Sequence, residues 1–274
     1  EQPLTATRPT LDEELALGPR GSVIELGHYK REAHCMLDDQ KEVWCWGYDR
    51  LANFIPKGRS RLEMNEAVRV EKLGPATQLV HGQIKCALQE DGEVFCWRKY
   101  VPERHPELVN VVELKGSDSA CARHDDGSVS CWGHAYNVPH RADSTRYYLG
   151  KIKGVEDARA LFVEEGSACA ITGAERNLVC WSSKAKAQRI EPLKDVTEVF
   201  LGNRGAHCAK TEEGKLWCWG GVGRTAIERE RSADAPIELE ELAPIRQVAI
   251  RDEHLCILFE DHRLMCWEDR RYED

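Results

Sequence analysis

The chain has 274 residues, 42% of them hydrophobic and 31% charged, and its formal net charge at pH 7 is −9. That balance argues against duplex nucleic acid as a partner, which requires a strongly basic patch, and no run of about 18 apolar residues offers a membrane-spanning helix. With no leader-like segment at its start, the sequence reads as a mature, soluble form.

From Val23 onward the chain repeats itself. A strand-like run, Val23-Ile24-Glu25-Leu26, leads to Cys35…Cys45-Trp46, then to a variable loop and the short run Ala67-Val68-Arg69-Val70. The second copy runs from Gln78-Leu79-Val80 to Cys86…Cys96-Trp97, and the third from Val112-Glu113-Leu114 to Cys121…Cys131-Trp132. The fourth joins Ala160-Leu161-Phe162-Val163 to Cys169…Cys180-Trp181, and the fifth joins Glu198-Val199-Phe200-Leu201 to Cys208…Cys218-Trp219. Pro236-Ile237-Glu238-Leu239 then precedes the sixth, which links Gln247-Val248-Ala249-Ile250 to Cys256…Cys266-Trp267. All twelve cysteines and six of the eight tryptophans fall in this period, which sets the architecture before any residue is read alone.

Between the two cysteines of a copy lies a turn signal. Glu90-Asp91-Gly92, Asp125-Asp126-Gly127 and Glu212-Glu213-Gly214 each separate two strand-like runs, as in a hairpin whose three-residue loop ends in left-handed glycine. The fourth copy has one more residue and fits a four-residue loop, Gly173-Ala174-Glu175-Arg176. Such hairpins set the two cysteines opposite each other, with Cα atoms about 4.5–5.5 Å apart, within reach of a disulfide. A pairing that recurs in every copy must be local, so six cross-strand disulfides are expected. Unpaired core cysteines are the competing reading. Zinc fits less well, because no copy has the close cysteine pair of a structural zinc site. Persistent disulfides need an oxidising compartment: extracellular, periplasmic or at the cell surface.

Four antiparallel strands per copy make one propeller blade. The expected fold is all-β: a six-bladed β-propeller in one domain spanning 1–274. Because adjacent residues of a strand point to opposite faces, the Cys-Trp step should aim the staple one way and the tryptophan toward a neighbouring blade. The seven residues after Trp267 are too few for a loop and an outer strand. Residues 7–12, within Arg8-Pro9-Thr10-Leu11-Asp12, are therefore expected to complete blade six and close the ring.

The pattern Ala120-Cys121-Ala122…Asp126-Gly127-Ser128-Val129-Ser130-Cys131-Trp132-Gly133 resembles repeats of the regulator of chromosome condensation family, in particular the disulfide-stapled variety of secreted bacterial proteins. Gly47, Gly133 and Gly220 keep the glycine that closes such repeats, whereas Arg98, Ser182 and Glu268 replace it. The resemblance runs from about residue 20 to the end. It implies a propeller but no particular function, since members of the family exchange guanine nucleotides, inhibit enzymes or bind other proteins. Many have seven blades; this chain has six copies.

The sequence offers no catalytic constellation. His34 and His207 both stand immediately before a first cysteine, and His254 stands close to one, so they read as parts of blades. Phosphate loops, nucleophile elbows and zinc-protease helices are missing. The acidic tips lack the ligand ladder of a calcium loop, and turn chemistry accounts for them. No catalytic residue, metal or cofactor is assigned.

The leading functional reading is a secreted or surface protein-recognition module, a monomer that binds another protein, with no nucleic acid partner and no direct membrane insertion. The alternatives are an extracellular hydrolase or lyase using the propeller channel, and a carbohydrate or envelope binder. The loops after tryptophan alternate long and short, and the long ones, 47–66, 133–146 and 220–235, carry nine basic residues against seven acidic ones. Their arginines and aromatics are the usual material of interface hot spots. The candidate binding residues are Tyr48, Arg50, Phe54, Arg59 and Arg61; Tyr136, His140 and Arg141; and Arg224, Arg229 and Arg231.

Overall fold

The computed structural model describes residues 22–28, 33–47, 67–81, 85–97, 102–116, 119–133, 149–164, 166–182, 186–202, 205–220, 235–240, 242–251 and 254–267. The chain divides into two compact units, Glu1–Val109 and Asn110–Asp274.

The first unit holds two four-stranded antiparallel sheets. One consists of β1 (Val23–His28), β2 (Ala33–Asp38), β3 (Val43–Gly47) and β4 (Val68–Arg69). The other consists of β5 (Ala76–His81), β6 (Lys85–Gln89), β7 (Val94–Trp97) and β8 (Glu103–Arg104). The second unit holds four more. They are β9 (Val111–Gly116) to β12 (Gly150–Lys151) through β10 (Ser119–His124) and β11 (Val129–Gly133); β13 (Ala158–Glu164) to β16 (Gln188–Arg189) through β14 (Ser167–Thr172) and β15 (Asn177–Ser182); β17 (Val196–Leu201) to β20 (Ile237–Leu239) through β18 (His207–Thr211) and β19 (Leu216–Trp219); and β21 (Ile245–Arg251), β22 (His254–Phe259) and β23 (Leu264–Trp267). Every sheet follows chain order, and the last has three strands among the described residues. The segment expected to complete it, 7–12, lies outside the described residues.

Second and third strands pair so that the cysteines stand directly opposite: Cys35↔Cys45, Cys86↔Cys96, Cys121↔Cys131, Cys169↔Cys180, Cys208↔Cys218 and Cys256↔Cys266. All six pairs are disulfides, with Cα atoms 4.0–4.1 Å apart, and no cysteine is free.

Four of these staples lie in cores shared with the following blade. Cys121, Cys131 and Val129 pack with Ala158, Leu161, Ala168 and Trp181 of the next sheet. Cys169, Ile171 and Leu178 likewise pack with Leu193, Val196, Val199 and Trp219. In the first unit, Cys35, Leu37, Val43 and Cys45 pack with Ala76, Leu79 and Trp97. Trp97, Trp181 and Trp219 thus reach back to the staple before them, as does Trp267. Strands covered on both faces have no polar side, which explains the uninterrupted burial of Lys85–Gln89.

The first strand of each blade departs from strict alternation. Its register slips by one residue between Val23 and Glu25, Ala76 and Gln78, Val111 and Glu113, Ala158 and Ala160, Val196 and Glu198, and Ile245 and Gln247. A bulge leaves one residue unpaired, so residues three apart share a face. Val196 and Val199 are both buried on this account, as are Ile245 and Val248. In two blades the bulged residue is a threonine whose hydroxyl donates to the neighbouring strand, Thr77 to the Leu88 carbonyl at 3.2 Å and Thr197 to the Lys210 carbonyl at 3.1 Å.

Backbone bonds fasten successive blades at the hairpin tips. The Ala76 amide donates to the Lys41 carbonyl at 2.9 Å, Ala158 to Gly127 at 2.9 Å and Val196 to Arg176 at 3.2 Å. The tip residue has positive φ in all six blades: Lys41, Gly92, Gly127, Arg176, Gly214 and His262. Gly127 is also packed tightly, since a Cβ there would lie 2.8 Å from the Asp157 Cα.

Replacing Cys121 and Cys131 together with alanine is expected to lower the unfolding free energy by about 3 kcal/mol, the chain-entropy value for so short a loop. Trp181→Ala should cost about 3–5 kcal/mol by creating a cavity in the same core. Sharing that core, the two losses should fail to add in the combined variant, as chemical denaturation would measure. A second comparison isolates the tip. Gly166 has φ 82° with nothing within 4 Å of a Cβ, so Gly166→Ala should cost only the left-handed penalty of about 1–2 kcal/mol. Gly127→Ala should cost more in the same denaturation assay, because it also forces apart two backbones.

Candidate functional site

Each sheet has two unlike ends. At one end the second and third strands meet in the hairpin tip. At the other the third strand leaves for the fourth through 48–67, 98–102, 134–149, 183–187 or 220–236, alternately long and short as the sequence indicates. All eleven candidate residues lie in the long segments and outside the described residues: Tyr48, Arg50, Phe54, Arg59, Arg61, Tyr136, His140, Arg141, Arg224, Arg229 and Arg231. The described strands fix where those segments start and finish. Gly47 leads to Val68, Gly133 to Gly150 and Trp219 to Ile237.

The tips are charged, and their charges do structural work. Asp91, Asp126 and Asp261 each accept the amide two residues on, at 3.0, 2.8 and 3.0 Å from Glu93, Ser128 and Arg263. This is the aspartate turn expected from the sequence. The Ser128 hydroxyl and amide hold the Asp126 carboxyl below its ordinary pKa, and the Arg263 amide and side chain do the same for Asp261. Asp38 is fully buried, although the sequence places it at a tip. Its carboxylate accepts the amides of Gln40 and Glu42 at 3.0 and 2.8 Å and the Trp44 indole N–H at 2.9 Å.

Two residues that sequence reasoning passed over connect neighbouring tips. Lys41 pairs with Glu90, and Arg176 pairs with Glu212 and, at 3.4 Å, with Asp195. The Glu212 carboxylate, followed by Asp195, raises the Arg176 pKa. The signal was present in the sequence: Lys41 and Arg176 stand where three other copies have glycine. Exposed ion pairs of this kind contribute little, about 0–1 kcal/mol, so the backbone bonds beside them are the stronger tie.

The two repeat-position histidines both face their blade's tryptophan across the ladder. His34 is opposite Trp46 with ring centroids 5.7 Å apart, and His207 is opposite Trp219 at 5.6 Å. His207 is buried, its Nδ1 has no hydrogen-bond partner among the described residues, and burial pushes its pKa down to about 4. Such an imidazole is a neutral packing group. Among the described residues, no group of three or more His, Cys, Asp or Glu side chains could hold a metal ion.

This geometry defines a class: an all-β protein built from disulfide-stapled, propeller-type blades. No family model matches the chain, and neither does any curated protein. Solved structures do match. Prp20p of Saccharomyces cerevisiae, the yeast RCC1, has 17% identity over 89% of this chain and 71% of its own, with a TM-score of 0.66. The ectodomain of the Physcomitrella patens receptor kinase CR4 has 19% identity over 92% of this chain and 66% of its own, with a TM-score of 0.55. YCF48, solved bound to D1 peptide, has 10% identity over 92% and 81%, with a TM-score of 0.54. At these identities the likeness is one of fold.

The His207 environment gives a pH prediction with a definite sign. Its folded pKa lies below the unfolded value of about 6.5, so the unfolded chain takes up a proton that the folded blade refuses. Stability is therefore fully present above pH 6.5 and falls by roughly 3 kcal/mol as the pH drops toward 4. In urea denaturation at pH 7 and pH 4.5, His207→Phe should show a smaller loss between the two conditions than the parent chain.

Proposed function

We propose that the protein is an exported recognition module, a closed six-bladed propeller that binds a partner protein through the long loops at one end of alternate blades. The observation that carries this reading is the contrast between blade ends. The tip end is committed to structure by turn caps, blade-to-blade backbone bonds and ion pairs. The other end varies freely in length and holds the arginines and aromatics that interfaces favour.

Two further points support it. Six disulfides suit an oxidising compartment, and rigid staples limit the entropy lost when loops bind. Proteins of the same fold engage other proteins, as in yeast RCC1 bound to Kap60 and YCF48 bound to D1 peptide. A strand from the N-terminal segment closes the ring in this reading.

The test is crosslinking capture of a partner from the surface and medium of the producing cells, followed by direct binding of the captured protein to variants. Arg59→Glu with Arg61→Glu, Tyr136→Ala with Arg141→Ala, and Arg229→Glu with Arg231→Glu should weaken binding without changing the melting temperature. A buried tyrosine or arginine anchor should cost about 2 kcal/mol, and rim charges should act mainly on the association rate. The control pair, Glu213→Lys with Glu240→Lys, should bind normally. Binding lost in the control pair alone, or no macromolecule captured, would overturn the proposal.

A further inference from the structure

We infer that the end of blade five opposite its hairpin tip is an acid-sensitive latch: a proton taken up by His207 frees the turn between β17 and β18 from the strand end Trp219-Gly220. The described residues of that turn are Gly202, Gly205 and Ala206, so it is held by its backbone. The Gly202 amide donates to the Ala206 carbonyl at 2.7 Å. Gly220 lies so close to the Gly205 carbonyl that a Cβ would overlap it, and its φ of 72° is one that glycine adopts freely. Gly202 rests against Ile250 of blade six, whose side chain would lie 2.5 Å from a Cβ there.

His207 is the side chain beneath these contacts. It follows the turn directly, stands between Leu201 and Trp219 in the ladder, and is 9% exposed. Its ring packs on Trp219, which belongs to the apolar core that blade five shares with Cys169, Ile171 and Leu178 of blade four. One imidazole thus joins the turn to the core.

No charge stands ready to receive a proton there. Leu201 and Trp219 do not titrate, and the core behind them is apolar. Among the described residues, the charged or titratable groups at the same end of the neighbouring sheets are Glu164 and Lys186 of blade four and Arg251 and His254 of blade six, and all four are exposed. An imidazolium at this place would be buried without a counter-charge, at a large cost. Burial is accordingly the main cause that pushes the His207 pKa down to about 4, and the Ala206 backbone offsets only part of it.

The proton is accommodated most cheaply if the turn lifts and hydrates the ring. The opening stops early, because the next residue is Cys208 of the staple Cys208–Cys218. Beyond it the tip is fastened to the segment before it by the Glu212 amide on the Asp195 carbonyl at 2.9 Å. The other blades lack the device: His34 of blade one is only half-buried opposite Trp46, and blade six has Leu255 opposite Trp267. Gly220 is also where the connection to β20 departs, so pH sets how firmly the root of that connection is held.

Amide hydrogen exchange, corrected for the intrinsic rate at each pH, tests the latch at pH 7.5 and pH 5.0. The latch is shut above pH 6.5 and loosens as the pH falls toward 4, so protection at Gly202–His207 should drop about 30-fold between the two conditions. Protection at the tip, Thr211–Gly214, should change far less. His207→Phe should abolish the difference. So should His207→Leu, which installs the residue that blade six has at this position. His34→Phe should leave it intact. Equal loss at turn and tip would assign the effect to the whole blade and overturn the inference. Unchanged protection of the turn at pH 5.0, or a loss that persists in both His207 variants, would overturn it as well.

Discussion

The structure depends on one placement: an opposed cysteine pair in the centre of each blade, which in blades one, three, four and five is set in a core that also contains the tryptophan of the next. Because Cys and Trp are adjacent in sequence, they face opposite ways along the strand. A single dipeptide can therefore couple a blade both to the one before and to the one after, as Cys180-Trp181 and Cys218-Trp219 do. Neither face of such a sheet is suited to water, so a lone blade would expose two apolar surfaces. Stability accordingly belongs to pairs of neighbours, as in repeat proteins generally. The disulfide fixes the hairpin register, and the shared core fixes the blade against its neighbour.

Much of this was legible in the sequence because it repeats. Six copies of one spacing identified the pairing of Cys35 with Cys45 and its five equivalents, although the spacing of one copy alone would not have. The loop of four residues at Gly173–Arg176 followed from a single extra residue. First strands were harder to place. The runs Gln78-Leu79-Val80 and Glu198-Val199-Phe200-Leu201 begin after the bulge, so the strands start two residues earlier, at Ala76 and Val196. Alternation could not reveal them, because the bulge breaks alternation. Left-handed Lys41, Arg176 and His262 were hidden for another reason: the conformation is conventionally announced by glycine, and these copies lack it.

The candidate binding residues are a different case. Nothing in loops 47–66, 133–146 and 220–235 repeats, so the period that located every staple has no bearing on Arg59, Tyr136 or Arg229. Composition marked the loops and the strands fix their anchors. The acidic tips show the converse. Turn chemistry accounts for their carboxylates in sequence, and Asp91, Asp126 and Asp261 are indeed occupied with the backbone of their own turns. A fold shared with Prp20p, CR4 and YCF48 therefore separates two questions, since propeller architecture says how the loops are held and leaves what they contact to the loops.

The bulge has a use outside stability. It places one residue per blade, Ile24, Thr77, Val112, Arg159, Thr197 and Arg246, outside the ladder register, and all six are exposed. Apart from the two threonines, whose hydroxyls bond back to the sheet, these are sites where a side chain can be recoded with little reference to its neighbours. The chain thus carries a built-in set of attachment points, one per blade and in the same local geometry. A spectroscopic label placed at Val112, Arg159 or Arg246 would report on its own blade while leaving both the staple and the long loops untouched.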